Sequence, residues 1–100
     1  MANILFIDDD EVLLKVVSVL LKGRGHSIAT ATSGPDGIRL LNKMDFDLVI
    51  CDANLPVRSG YEVVTEIRKV SKYKRLPIIF MTGLRELNDI YCAINAGFNR

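Results

Sequence analysis

Short apolar runs alternate with amphipathic segments along the whole chain. Four runs have the length and continuous apolar character of strands that are buried on both faces of a parallel sheet. Between them, apolar residues recur at helical spacing, and Ser33 and Ser59 stand at N-cap positions. The predicted strands are 3–7, 26–32, 46–51 and 76–81, and the predicted helices are 11–22, about 35–44, about 60–70 and a last one from about 85 to 97. The alternation predicts a single α/β domain over residues 1–100, a doubly wound parallel sheet with helices on both faces.

The first predicted helix is apolar around most of its circumference. Its polar residues form one narrow stripe: Glu11, Lys15, Ser18 and Lys22. All the remaining positions from 12 to 21 are apolar. The apolar surface is therefore wider than the single apolar face of an ordinary surface helix. We therefore expect this helix to pack between neighbouring helices.

Composition narrows the class of protein. With 49% hydrophobic residues, 25% charged residues and a net charge of +1, the chain is ordinary globular protein, which argues against nucleic acid as a direct ligand of this domain. The apolar runs are shorter than the roughly 20 residues of a membrane helix, and the N-terminus has no basic leader. We expect a cytoplasmic domain without membrane contact.

The cysteines and the single histidine do not predict a site. Cys51 and Cys92 form no CxxC pattern and lie in apolar contexts, so we expect reduced core thiols. His26 lies in a turn-like stretch and is expected on the solvent side.

Two of the predicted strands end in acids. The first is followed by Asp8, Asp9 and Asp10, and the third by Asp52. If the first strand is central, the first and third strands are neighbours, and their carboxyl ends meet at the switch point where ligands bind. Crowded carboxylates need a cation, and oxygen ligands without His or Cys favour Mg²⁺. Helix capping is the simpler alternative, but it accounts for one acid more easily than for four.

Thr82 ends the fourth predicted strand, next to the third strand at the same edge. Alone, such a threonine is most often only a strand-end residue. A hydroxyl, a metal and a carboxylate together suit an incoming phosphoryl group. The metal neutralises the phosphoryl oxygens, the hydroxyl donates to one of them, and a carboxylate attacks phosphorus.

These stretches resemble a known family. FIDDD, then CDANLP followed by SG, then FMTG occur in the order and spacing of the receiver domain of two-component response regulators, over the whole chain. The resemblance implies a flavodoxin-like three-layer sandwich with strand order 2-1-3-4. It also implies a phosphoacceptor signalling domain, not an enzyme. Such a domain takes a phosphoryl group from the phosphohistidine of a sensor histidine kinase or a histidine phosphotransfer protein, and then loses it by hydrolysis.

The resemblance implies a role for each strand-end residue. Asp52 is the expected phosphoacceptor, and Thr82 is the expected switch residue that binds a phosphoryl oxygen. Asp8 and Asp9 are the expected acidic pair, which binds Mg²⁺ together with Asp52 and the backbone carbonyl of Asn54. Three further positions match the family outside the metal shell: Asp10 at the helix start, and Pro56 and Gly60 in the loop.

The resemblance also implies a missing segment. Receiver domains continue with a fifth strand, which ends in a lysine that contacts the phosphoryl group, and with a fifth helix. This sequence stops at Arg100, so we expect a C-terminally incomplete domain in which Arg58 or Arg85 could approach the site. We expect an uncovered flank on the first helix, an open edge at the fourth strand, and self-association through them.

Other functions were weighed against phosphotransfer. One alternative is a receiver-like protein-interaction module without phosphotransfer. The missing lysine and the unpaired edge of the sheet are consistent with a domain whose only function is to assemble with a partner. A dehalogenase-type phosphatase needs a second Asp two residues after the nucleophile, where this chain has Asn54. A flavodoxin would need a Ser/Thr-rich phosphate loop after the first strand, where this chain has acids.

Overall fold

The computed structural model describes residues 1–81, which form a parallel sheet with helices on both faces. The elements in chain order are β1 (Asn3–Ile7), α1 (Glu11–Lys22), β2 (Ser27–Ala31), α2 (Gly34–Lys43), β3 (Leu48–Asp52), α3 (Gly60–Arg68), a short 3₁₀ helix (Ser71–Tyr73) and β4 (Ile78–Met81). The strands are ordered β2-β1-β3-β4. The predicted doubly wound sheet and its order 2-1-3-4 are therefore confirmed. The predicted last helix, with Arg85 and Cys92, lies outside the described residues, as does Thr82.

The two faces of the sheet bury separate cores. α1 packs against one face, and α2 and α3 pack against the other. This division follows from right-handed crossovers that leave the central strand β1 in opposite directions. Residues 4–7 of β1 and 48–51 of β3 have no exposed surface, and full burial of each Leu, Ile, Val or Phe side chain stabilises the fold by about 1.5–3 kcal/mol. The carboxyl ends of β1 and β3 consequently follow directly on fully buried strand residues.

One side of α1 is covered and another is exposed. Leu14, Val17 and Leu21 are buried against the sheet. The exposed apolar strip of α1 consists of Val12, Val16, Val19 and Leu20. Val12 is 73% exposed and Val19 is 65% exposed, so the expectation that neighbours cover most of this helix is wrong. The expected uncovered flank is confirmed.

Several predicted boundaries shift by a few residues. β3 begins at Leu48 and includes Asp52 as its last residue. β4 begins at Ile78 because Pro77 has no N–H to donate to a neighbouring strand. α3 ends at Arg68, two residues before the predicted end, and Val70 lies outside the helix and is 47% exposed.

His26 is partly buried rather than on the solvent side. Its Nδ1 accepts a hydrogen bond from the backbone N–H of Ala2 at 3.1 Å, which ties the α1–β2 connection to the start of β1. Within residues 1–81, no helix is long and apolar enough to cross a membrane.

Candidate metal centre

Three carboxylates meet at the carboxyl edge of the sheet because β1 and β3 are paired in parallel. Ile7 pairs with Cys51, so the residues that follow them, Asp8 and Asp52, come side by side. One carboxylate oxygen from each of Asp8, Asp9 and Asp52 lies within 4.8 Å of the other two. The structure therefore brings together the three acids that the sequence analysis assigned to one metal site.

Asp8 is the buried member of the cluster, with 3% of its surface exposed. Its backbone N–H donates to the carbonyl of Ala31 at 3.0 Å, and its Oδ1 accepts from the N–H of Asp10 at 2.9 Å. Burial raises the pKa of Asp8 to about 6; the Asp10 N–H opposes this rise, and the nearby carboxylates, Asp52 first, add to it. This burial is not evident from the residue type, although the position directly after four buried strand residues was a signal for it.

Asp52 is half-buried and ends β3. Its Oδ1 accepts a hydrogen bond from the backbone N–H of Asn54 at 2.9 Å, which orients the carboxylate at the start of the loop. Asn54 itself is exposed. Asp52 also pairs with Met81 at the end of β4, and the N–H of Ala53 donates to the carbonyl of Met81 at 3.1 Å. Thr82 follows Met81 in the sequence, and its role stays a prediction.

Gly60 allows α3 to start directly against the end of β3. Its N–H donates to the carbonyl of Ala53 at 3.0 Å, and a Cβ at this position would overlap the carbonyl oxygen of Asp52. Ser59 and Glu62 close the first turn of α3 with reciprocal side-chain to backbone hydrogen bonds. The loop that follows Asp52 is therefore tied at both ends.

Asp10 caps α1, as expected for a helix-start acid. Its Oδ1 accepts a hydrogen bond from the N–H of Leu13 at 3.1 Å. Arg58, which was expected to be able to approach the site, instead forms an ion pair with Glu66 of α3 at 2.7 Å. Across residues 1–81, no ion pair joins a basic side chain to the three carboxylates.

Cys51 is a free, fully buried thiol next to Asp52. Burial raises the pKa of Cys51 to about 12, and the carboxylates of Asp52 and Asp8 add to the rise. The thiol is consequently protonated at neutral pH and acts as a core residue, as predicted.

The donor set fits a hard divalent cation. Three carboxylates lie close together without a basic partner among the described residues, and crowding contributes to the raised pKa of Asp8. Mg²⁺ prefers carboxylate and carbonyl oxygens as ligands. It usually binds only one or two carboxylates and keeps several waters, and an open edge of the sheet leaves room for those waters. Fold and site together define an α/β domain with an acidic switch point whose donor set suits a cation.

Comparison with known proteins identifies the family. The family model of the response regulator receiver domain matches residues 4–100. The chain belongs to this family, and it is a signalling domain of two-component systems. The resemblance described from the sequence is thereby confirmed.

The relatives are consistent with this assignment. The chain is 35% identical over 97 residues to the transcriptional regulatory protein AfsQ1 of Streptomyces coelicolor and covers 42% of it. It is 36% identical over 96 residues to the transcriptional regulatory protein GlrR of Escherichia coli and covers 21% of it. The aligned regions are 97% and 96% of this chain. The chain thus spans less than half the length of the curated relatives that it matches.

Solved structures show the same architecture. The chemotaxis response regulator CheY4 of Vibrio cholerae superposes with a TM-score of 0.77 at 33% identity, over 89% of this chain and 77% of that one. A chain in the crystal structure of the histidine kinase ThkA in complex with the response regulator protein TrrA superposes with a TM-score of 0.74 at 36% identity, over 83% of this chain and 70% of that one.

Proposed function

We propose that residues 1–100 form one receiver domain that accepts a phosphoryl group on Asp52 in a Mg²⁺-dependent reaction. The observation that carries the proposal is the meeting of the Asp8, Asp9 and Asp52 carboxylates within 4.8 Å at the switch point of the sheet. Ligands bind at this position in open parallel sheets. Asp52 is the half-exposed member of the cluster, whereas Asp8 is buried, so an incoming phosphoryl donor reaches Asp52 more easily.

The proposed step is a displacement at phosphorus. One carboxylate oxygen of Asp52 forms a bond to phosphorus while the phosphorus–nitrogen bond of a phosphohistidine breaks. The other ring nitrogen of the phosphohistidine carries a proton, so the departing nitrogen keeps the electron pair and the products are an acyl phosphate on Asp52 and a neutral imidazole. The N–H of Asn54 holds Oδ1 of Asp52 at 2.9 Å, which favours the other oxygen, Oδ2, as the nucleophile. Water later hydrolyses the acyl phosphate and restores the carboxylate.

Asp8, Asp9, Asp52 and the backbone carbonyl of Asn54 are the proposed ligands of Mg²⁺. The ion neutralises negative charge on the transferring phosphoryl group when it is bound. Asp8 and Asp9 hold the ion beside Asp52, and the hydrogen bonds to Asp8 and Asp52 keep both carboxylates oriented. We propose that Thr82, one residue beyond β4, donates its hydroxyl to a phosphoryl oxygen.

The proposed donor is a sensor histidine kinase or a histidine phosphotransfer protein. This part of the proposal is supported by the likeness to a chain in the ThkA–TrrA complex, which contains a histidine kinase and a response regulator. The domain is proposed to act as a phosphoacceptor in the cytoplasm rather than as an enzyme with its own substrate.

Labelling with a small phosphodonor tests the proposal. The chain is incubated with acetyl phosphate with and without Mg²⁺, and the intact mass is measured. We expect the mass of one phosphoryl group only with Mg²⁺, lost in hydroxylamine, and no gain in the Asp52→Asn variant. Asp36→Asn, which removes a half-buried acid that is paired with Arg39 and lies outside the cluster of three carboxylates, is the matched control and should be labelled normally.

The same experiment separates phosphotransfer from a pure interaction module. The exposed apolar strip of α1 is the observation that favours the second function. If the folded chain binds no Mg²⁺ and takes no label, the result would favour the interaction module over phosphotransfer.

A further inference from the structure

The described residues carry opposite charges at the two edges of the sheet. The connections at the amino edge, 22–26, 43–47 and 68–77, contain eight Lys or Arg residues and two acids. At the carboxyl edge, 8–11, 32–36 and 52–62 contain seven acids and one Arg. The net charge of +1 hides this separation. The amino edge, opposite the proposed phosphorylation site, is therefore a strongly basic surface.

Helix dipoles account for only part of this basic charge. Lys22, Lys43 and Arg68 lie in the last turns of the three helices, where cations are favourable. Arg68 also donates to the carbonyls of Tyr73 and Lys74 at 2.7 and 3.1 Å and so shapes the connection to β4. The cations that follow α3 lie outside these last turns: Lys69, Lys72, Lys74 and Arg75.

A cavity of about 750 Å³ opens at this basic surface. It lies between the α2–β3 and α3–β4 connections, and its apolar lining is formed by Leu41, Phe46, Tyr73, Leu76 and Pro77. Lys72 and Arg75 line the same cavity, as do Asp45 and Asp47, and we call the cavity the basic groove after the basic surface on which it opens. Its volume falls within the range of protein binding sites.

The charges at the mouth of the basic groove are available for a ligand. Nζ of Lys72 lies 3.5 Å from Oδ1 of Asp45, but their side chains are 64% and 90% exposed. Exposed pairs of this kind contribute between zero and about 1 kcal/mol, so a ligand carboxylate can replace Asp45 at low cost. Nζ also lies 5.7 Å from the centre of the Tyr73 ring, which keeps the ammonium group over the cavity wall.

We propose that the basic groove binds an acidic segment of a partner protein, with carboxylates on Lys72 and Arg75 and one apolar side chain in the cavity. The two cations and the apolar lining together match a segment in which acidic residues flank a Leu or a Phe. The inference concerns the amino edge and does not depend on phosphorylation of Asp52.

The apolar lining of the basic groove favours an acidic protein segment over nucleic acid. Nucleic acid presents phosphates and bases, whereas a Leu or Phe side chain fits a lining of Leu41, Phe46, Leu76 and Pro77. Tyr73 is 8% exposed and donates its hydroxyl to the carbonyl of Leu41 at 2.7 Å, so its ring is fixed in the cavity wall.

NMR titration of the ¹⁵N-labelled chain tests the proposal. The probe is a synthetic acetylated peptide, Glu-Glu-Leu-Phe-Glu-Glu-amide, and a second peptide has Ser in place of Leu and Phe. We expect saturable shifts at Phe46 and residues 72–76, none at Asp8 or Asp52, and affinity that falls as salt rises. The Ser peptide should bind at least about tenfold more weakly, because the apolar anchor is lost.

A matched pair of charge reversals completes the test. Arg75→Glu should weaken binding of the Leu-Phe peptide about tenfold or more, whereas Lys15→Glu on exposed α1 should leave it within about threefold. The proposal is overturned if no saturable shift occurs at millimolar peptide, if Arg75→Glu has no larger effect than Lys15→Glu, or if the Ser peptide binds equally well. A 12-base-pair DNA duplex that binds the same residues as tightly as the peptide would also overturn it.

Discussion

Asp8 and Asp52 have the same side chain but different environments. Asp8 is almost fully buried, and its pKa is raised to about 6, mainly by loss of hydration. Asp52 is half-buried at the opening of the site. A buried carboxylate suits a structural ligand of a cation, and an accessible one suits an acceptor. Burial thus makes Asp52 a better candidate for the acceptor than Asp8.

Replacing Asp8 should stabilise the metal-free protein at neutral pH. The unfolded chain loses this proton near pH 3.8 and the folded chain near pH 6, so the carboxyl group destabilises the fold progressively between these values and by a constant amount above them. Asp8→Asn removes the charge and keeps an oxygen for the Asp10 N–H. We expect a gain of up to about 3 kcal/mol at pH 7.5 with EDTA, and much less at pH 4, by urea denaturation. Equal stability of variant and native chain at pH 7.5 would contradict the raised pKa.

Removing Asp9 should abolish Mg²⁺ binding. Asp9 is exposed and contributes a carboxylate to the cluster, so Asp9→Asn removes one of its proposed ligands. Asp10→Asn is the matched control, since it also removes one negative charge next to the site, and Asn still caps α1. Isothermal titration calorimetry should show a loss of at least tenfold in affinity for Asp9→Asn and at most about threefold for Asp10→Asn. Similar losses in both variants would indicate a nonspecific effect of charge.

At the scale of elements, the junction of β3 and α3 is the tightest contact near the site. The helix begins eight residues after the strand ends, and Gly60 brings its first turn onto the backbone of Asp52 and Ala53. The reciprocal cap formed by Ser59 and Glu62 holds that turn. The position of Asp52 is consequently coupled to the start of α3.

Gly60→Ala should destabilise the protein. The added methyl group would overlap the carbonyl oxygen of Asp52, and backbone atoms cannot move away as a flexible side chain would. We expect a loss of about 1–3 kcal/mol in the free energy of unfolding. Gly23→Ala is the control: its Cβ would lie 3.4 Å from the nearest atoms and its φ is −63°, so a change near zero is expected. A Gly60→Ala variant as stable as the control would show that the junction can relax.

At the scale of the whole molecule, charge and apolar surface are unevenly distributed. Acids collect at the carboxyl edge and bases at the amino edge, while the exposed apolar strip lies along α1. Each surface therefore offers a different kind of contact: a cation and a phosphoryl group, an acidic segment, and an apolar partner surface.

The exposed apolar strip should make the 100-residue chain self-associate. Four apolar side chains on adjacent turns form a continuous patch, and such patches favour association. The double variant Val16→Lys, Leu20→Lys should sediment as a monomer at about 100 μM, whereas the native chain should sediment faster with rising concentration. Val57→Lys is the control, because Val57 lies outside α1 and is 95% exposed. This variant should behave like the native chain. A native chain that stays monomeric at this concentration would contradict the prediction.

The alternation of apolar runs was sufficient to predict the architecture, and the strand-end acids were sufficient to predict that Asp8, Asp9 and Asp52 meet. Strand period, helix period and N-caps are local properties, and parallel order places Asp8 next to Asp52 by topology alone. The predicted first residues of β3 and β4 were less accurate. Both strands begin two residues later than predicted, directly after Asp47 and Pro77.

Other properties depend on which surfaces pack together, and a local pattern does not contain that information. The burial of Asp8 arises from its hydrogen bonds to Ala31 and Asp10 at the end of a covered strand, and its raised pKa follows from that burial. The exposure of Val12 arises because only one side of α1 meets the sheet, although its sequence is apolar nearly all round. Residue type determined where the strands, helices and acids lie along the chain. Hydration and contact between distant segments determined which acid is buried, which apolar residues remain exposed and where the basic groove opens.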